Sequence, residues 1–265
     1  MKVKMAGKPL SEVDGKSVFV FPQSAYKQNE EQRLCIWLVC QSVLFGHCYR
    51  SLMPGFFERI GLDTGVMIAT AVPSRDLLSV MSSPGDIDLL VIPYSKDYLL
   101  IDQTLAIEVK IVRAKFEAQG KSPKDFGFSQ ARGLARHGFP FVAVAHLIVS
   151  DRSPTEAWRS VFVADVLDAG SGRISDMREF FVDMMPADLI RRCYGRMLQH
   201  CSSNQTGLLA TYACGHGIWL PIGRAAEKNP DVNYDTLNAI ACYYGENFWR
   251  FRDLPRYPIA QNMYK

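Results

Sequence analysis

Hydrophobic positions follow two rhythms in the first 150 residues. From 29 to 52, Leu34, Trp37, Leu38, Gln41, Leu44, Phe45 and Cys48 recur at three- and four-residue steps, which predicts one helix. Asn29 stands at the N-cap position, with Gln32 three residues on. The next apolar stretches are short and bounded by turn residues, as strands are. They are Val66 to Val72, stopped by Pro73; Leu89 to Ile92, opened by Asp88; and Leu105 to Lys110. A loop bearing Ser, Pro and Gly, 119–127, leads to a predicted helix from about Phe128 to His137, with Gly138 placed as a C-terminal glycine. Phe139 to Val149 reads as a strongly apolar strand. The order is helix, strand, strand, strand, helix, strand, which is an α/β pattern.

The second half is less regular. Arg159 to Leu167 reads as a strand, Pro186 to His200 as a helix, Leu208 to Pro221 as two short strands and Tyr234 to Phe251 as a helix. The expected organisation is a core over 1–150 and an extension of the sheet, or a subdomain, over 151–265.

Charges inside the apolar runs change the picture. Side chains alternate along a strand, so Glu108 and Lys110 share one face and Val109 points to the other. Asp86 and Asp88 share a face in the same way. A charge entering a buried strand is costly unless paired or bound to a metal. Pairing the two strands would bring two carboxylates and an ammonium together, a set suited to a hard divalent cation and to phosphodiester hydrolysis. The plain alternative is a solvated strand edge.

This pattern resembles the PD-(D/E)XK nuclease superfamily, with Asp88 as the acidic residue and Glu108-Val109-Lys110 as the E-x-K triplet. The Pro-Asp dipeptide is interrupted, because Gly85 separates Pro84 from Asp86. The resemblance implies a restriction-endonuclease-like core, a mixed central sheet flanked by helices. It also implies hydrolysis of DNA by a nuclease using Mg2+, with Mn2+ as an alternative. Asp88, Glu108 and the backbone carbonyl of Val109 would hold the metal, and Lys110 would orient or deprotonate the attacking water. Relatives often add a glutamate from the first helix. Glu30 is favoured there, at the middle of the face carrying Leu34, Trp37, Gln41 and Cys48, with Glu31 and Glu58 as alternatives. They also place a glutamine or lysine on the helix after the triplet, where Gln130 stands. Restriction, repair, recombination and phage defence are the roles such nucleases serve. Two other readings stand beside this one: a non-catalytic nucleic-acid-binding or scaffold protein that keeps the fold, and an RNA-directed nuclease.

Composition adds limits. The net charge of the chain is +3, yet the stretch from Glu108 to Gly138 holds seven positive and three negative residues. Its basic members include Arg113, Lys115, Arg132 and Arg136, the expected phosphate contacts beside the metal site. Seven cysteines, an odd number, suit a reducing compartment, so a cytoplasmic location is expected. Lys2 and Lys4 are not followed by the apolar run of a secretory leader, and no membrane-spanning stretch is expected. His200-Cys201 with Cys214-Gly215-His216 lacks the spacing of a zinc finger and reads as ordinary cysteine burial. Arg250, Arg252 and Arg256 mix with Trp249, Phe251 and Tyr257, a mixture that suits packing on the core or nucleic-acid contact. A homo-oligomer or a partner protein also remains open.

Overall fold

The computed structural model describes all residues except 11, 15, 21–22, 24–28, 60–62, 79–84, 121, 124, 214–218 and 256–265. Strand β1 (Lys2–Lys4) and a small hairpin, β2 (Glu12–Val13) with β3 (Lys16–Ser17), precede helices α1 (Glu30–Cys40), α2 (Ser42–Leu52) and α3 (Pro54–Arg59). Then come β4 (Thr64–Val72), β5 (Ile87–Ser95), β6 (Tyr98–Leu100), β7 (Leu105–Ala114), α4 (Phe128–Arg136) and β8 (Phe141–Ser150). The second half contributes β9 (Arg159–Val163), β10 (Val166–Asp168), β11 (Arg173–Ile174) and β12 (Arg178–Val182). It continues with α5 (Met185–His200), β13 (Gly207–Tyr212), β14 (Ile222–Arg224), α6 (Tyr234–Asn247) and β15 (Arg252–Pro255).

The protein is α/β, with one mixed central sheet flanked by helices. The sheet runs β15-β4-β5-β7-β8-β13-β14, and β6 with β1 continues from the far end of β5. Pairing is parallel for β7/β8 and β8/β13 and antiparallel for the others along that path. Both faces of the central strands are covered, so these strands read as nearly continuous apolar runs. Leu89, Val91, Ile107 and Val109 pack under α1 and α2, through Cys35, Leu38, Phe45 and Leu52. Their alternates Leu90, Ala106, Val144 and Ile148 pack under α4, α5 and α6, through Leu134, Leu189, Ile240 and Tyr244.

The helix expected over 29–52 is broken. Gln41, at φ −85° and ψ 75°, ends α1 and starts α2. The break lets α1 lie over β4, β5 and β7 while α2 turns to β13 and β14, so both bury an apolar face on the same sheet. The Asn29 cap is present, its side chain accepting the Gln32 N–H at 2.8 Å. The strand expected from Arg159 to Leu167 is interrupted at Ala164-Asp165, and the helix from Tyr234 ends at Asn247, followed by a tight turn over Phe248–Arg250. Of the two strands expected over Leu208–Pro221, one is β13; the second, β14, begins just beyond, at Ile222.

The C-terminal half joins the sheet at both edges. β13 extends it from β8, and β15 closes the other edge against β4. Tyr94 on β5 donates a hydrogen bond to Asp253 on β15 at 2.7 Å. Arg250 is buried with its guanidinium over Tyr243, and Arg252 lies in the β15 ladder, so both pack on the core. Arg256 and Tyr257 lie outside the described residues.

Candidate active site

β5 and β7 pair antiparallel through Leu89–Ile107, Leu90–Ala106 and Val91–Leu105. One step further the same register sets Asp88 opposite Glu108, and there the β5/β7 ladder stops. The Asp88 carboxylate takes over from the backbone: its Oδ2 accepts the Val109 N–H at 2.7 Å. In an extended strand the N–H and C=O of one residue face the same side. The Val109 carbonyl therefore faces the gap that Asp88 fills. On the other side of Asp88, Ala71 has φ 49° and interrupts the β4/β5 pairing between Thr70 and Val72. A left-handed alanine costs about 1–2 kcal/mol, and such strain collects at functional sites.

Glu108 is 2% exposed, on a strand buried on both faces. Its Oε1 accepts from Lys110 Nζ at 2.7 Å. Burial is the largest cause raising the pKa of both carboxyls. The Glu108 charge pushes Asp88 further, to about 8, helped by Glu31 and opposed by the Val109 N–H and Lys110. Glu108 is raised by burial and by Glu31 and Asp125, against the pull of Lys110. Burial lowers the pKa of Lys110, but Glu108, Glu31 and Asp88 outweigh it, so the ammonium stays charged. One ammonium thus faces three acidic groups.

A cleft of about 350 Å³ opens onto Asp88, lined by Asn29 at the cap of α1, by Glu31, Gln32 and Cys35 from α1, by Ala71, Gly85 and Asp86, and by Gln130 from α4. The Cys35 thiol is held protonated, by burial first and by the Asp88, Glu31 and Glu108 charges. A larger cleft of about 530 Å³ lies near the N-terminal ends of β7 and β8, with Lys2 and Asp102 as its charged lining. It contains none of the paired carboxylates.

Asp88, Glu108, Val109 and Lys110 are therefore gathered as the spacing predicts, and Gln130 and Asp86 face the same cleft. Glu30 is not brought in. It pairs with Arg113 at the surface, and Glu31, one residue on, lines the cleft. A helix turns about 100° per residue, so a small rotation of α1 decides which glutamate faces Asp88. The Glu58 side chain lies outside the described residues, as do Cys214 and His216. Lys115, Arg132 and Arg136 are exposed. Arg132 and Arg136 share a face of α4, whose first residues cover the site.

Gly127 is the residue that periodicity overlooks. It starts α4 at φ 84°, and a Cβ there would stand 2.9 Å from Cγ of Glu108 and 3.4 Å from Cγ of Lys110. Glycine lets the helix N-terminus rest on the E-x-K strand. The signal was available, since Gly127 precedes the predicted helix directly. His146 is the other overlooked residue. It pairs in register with Lys110 and is fully buried. Its Nε2 donates to the Phe126 carbonyl at 3.2 Å, which leaves Nδ1 to accept from the Cys193 thiol at 3.3 Å.

Among the described residues no three His, Cys, Asp or Glu side chains form a ligand group on their own. Mg2+ commonly takes one or two carboxylates and completes its shell with water and substrate phosphate. Two opposed carboxylates, a backbone carbonyl and excess negative charge fit such an ion, and calcium-like cages with many side-chain ligands do not fit. The fold and this cluster define an α/β protein with a carboxylate–lysine site where two sheet strands part. Comparison with family models, curated proteins and solved structures returns no match for this chain.

Proposed function

We propose that the protein is a metal-dependent nuclease with a restriction-endonuclease-like core, hydrolysing DNA phosphodiester bonds at the Asp88–Glu108–Lys110 cluster. One observation carries this reading: Asp88 and Glu108 stand opposed where β5 leaves β7, Asp88 tied to the Val109 amide and Glu108 to Lys110. Asp88, Glu108 and the Val109 carbonyl would hold Mg2+ or Mn2+. The bound ion would make water a better nucleophile and offset charge on the phosphoryl oxygens. Lys110, held charged by its neighbours, orients the attacking water and stabilises negative charge at the scissile phosphate. Gln130 and Asp86 position groups at the cleft mouth. Arg132 and Arg136 receive the phosphate backbone, while Arg113, tied to Glu30, contributes less.

The test is cleavage of labelled duplex, single-stranded and branched DNA, and of RNA, with Mg2+, Mn2+ or EDTA. DNA is cut with either metal and left intact in EDTA. Asp88→Ala and Glu108→Ala each abolish cutting. Lys110→Ala lowers turnover on the order of a hundredfold, with DNA binding in Ca2+ close to wild type. Arg132→Ala with Arg136→Ala weakens binding across sequences and flattens its salt dependence. Wild-type cleavage by both carboxylate variants sinks the assignment. Preferential cutting of RNA moves the substrate class, and metal-independent binding without cutting favours a scaffold.

A further inference from the structure

From Phe141 to Ile148 every residue of β8 is buried, and all are apolar but His146. A buried polar ring costs stability unless its nitrogens are bonded. A leucine would fill the same place without that demand. Both nitrogens are bonded here: Nε2 donates to the Phe126 carbonyl at 3.2 Å, and the Cys193 thiol of α5 donates to Nδ1 at 3.3 Å. Burial keeps the ring neutral, the form that can do both at once. A fully bonded polar network of this kind rigidifies a core and specifies one arrangement of it.

The part it arranges is the turn that enters α4. Phe126 is followed by Gly127, and Gly127 rests on β7 and β8. A Cβ there would stand 2.9 Å from Cγ of Glu108 and 3.4 Å from both Cγ of Lys110 and Cγ1 of Val144. In the parallel register Glu108 lies beside Val144, and Lys110 beside His146. Adjacent strands are about 4.8 Å apart. His146 therefore grips the turn from the strand next to the pair, one residue before the contact with Glu108. The Phe126 ring is held as well, stacked on Phe128 at 5.7 Å and against His200 of α5 at 4.6 Å. Glu108, under this turn, is 2% exposed, and Lys110 17%.

We propose that His146 is a positioning residue for the Glu108–Lys110 pair. Its hydrogen bond to Phe126 holds the 126–127 turn down on the two side chains and so fixes their 2.7 Å contact. Cys193 fixes the ring in turn, so α5 sets the geometry of a site to which it lends no carboxylate. With the bond lost, the turn lifts, water reaches Glu108, and carboxylate and ammonium gain freedom. A misplacement of about 1 Å can cost a catalytic group on the order of a hundredfold. The consequence for turnover rests on the nuclease reading; the hold on the pair does not.

Substitutions in the full chain test this. His146→Leu keeps the volume and removes the donor, and His146→Gln returns an N–H within reach of the Phe126 carbonyl. Leu147→Val, next on β8 but facing the other side of the sheet, is the control. The side-chain resonances of Lys110 and Glu108, followed by NMR without metal or DNA, shift in His146→Leu. They return toward wild type in His146→Gln and stay in place in Leu147→Val. Cys193→Ala, a milder loss, moves them in the same sense and decides the matter if His146→Leu does not fold. In cleavage with Mg2+, at a temperature where each variant is folded, His146→Leu lowers kcat about tenfold or more. KM and DNA binding in Ca2+ stay at wild type. His146→Gln recovers most of kcat, and Leu147→Val keeps it although stability falls. Unmoved resonances in His146→Leu and Cys193→Ala overturn the proposal. So does wild-type kcat in His146→Leu, a glutamine that restores neither readout, or an equal loss of kcat in Leu147→Val. A wild type that cuts no nucleic acid overturns the nuclease reading instead, and the resonances then decide the hold by themselves.

Discussion

His146 shows how one buried side chain can set a pH limit. Burial, foremost, and the Arg196 and Lys110 charges hold its pKa down, to about 4, against the Phe126 carbonyl. The folded ring is neutral, with both nitrogens in use. Below about pH 6.5 the unfolded chain takes up a proton that the folded chain refuses, so stability falls as pH drops from about 6.5 to about 4 and levels off below. The full penalty is on the order of 3 kcal/mol. Urea unfolding between about pH 7 and pH 4 should give a steep loss for the wild type and a flatter one for His146→Gln. Parallel curves would show that other groups carry the acid sensitivity. At Asp88 and Glu108 burial acts in the other direction and raises the pKa, because for a carboxyl the charged form is the deprotonated one.

α4 is held at both ends by contacts a side chain would spoil. Its start rests on Glu108 and Lys110 through Gly127, and its end meets α6 through Gly138, where a Cβ would stand 2.4 Å from Cβ of Asn233. Asn229 donates to the Ala135 and Phe139 carbonyls at 2.8 and 3.0 Å, and Thr236 donates to the His137 carbonyl, so the C-terminal half of the chain satisfies the exposed end of this helix. Gly127→Ala should cost about 1–2 kcal/mol from the left-handed backbone and displace Glu108 as well. Its activity should therefore fall further than its stability, measured as turnover at a temperature where the variant is fully folded. Gly120→Ala, in open space, is the control and should leave both unchanged. Equal, small effects of the two substitutions would show that α4 tolerates movement over the site.

The sheet draws its edges from residues far apart in the chain, which makes the first 150 residues a poor unit by themselves. Cut there, β8 would lose β13 along Ala143–Ile148, β4 would lose β15, and the face under α5 and α6 would open. An exposed apolar central strand is an aggregation template. A 1–150 fragment should be aggregated or molten, with little chemical-shift dispersion, while the full chain unfolds in one cooperative transition. A fragment that folds cooperatively would establish an independent domain.

Local pattern was enough for the elements that bury one consistent face. The Asn29 cap, the Asp88 and Glu108 strands, α4 and its glycine at 138 all follow from spacing, because alternation and helical period are properties of neighbouring residues. The same rule put Glu108 and Lys110 on one face, and the register of β5 on β7 brought Asp88 to them. Other features rest on contacts between distant segments. The break at Gln41 sends α1 over β4, β5 and β7 and α2 over β13 and β14, a change of direction that the continuous apolar spacing does not record. Glu31 faces the cleft, and Glu30 the Arg113 side chain, because the docking of α1 sets its rotation, which the spacing of apolar residues defines only to within a residue. β15 closes one edge of the sheet and β13 with β14 extends the other, and residues 229–236 hold α4 over the site, through hydrogen bonds between segments far apart in the chain. Such pairings leave no periodic trace in a chain, since their energy comes from surfaces that exist only once the sheet has formed.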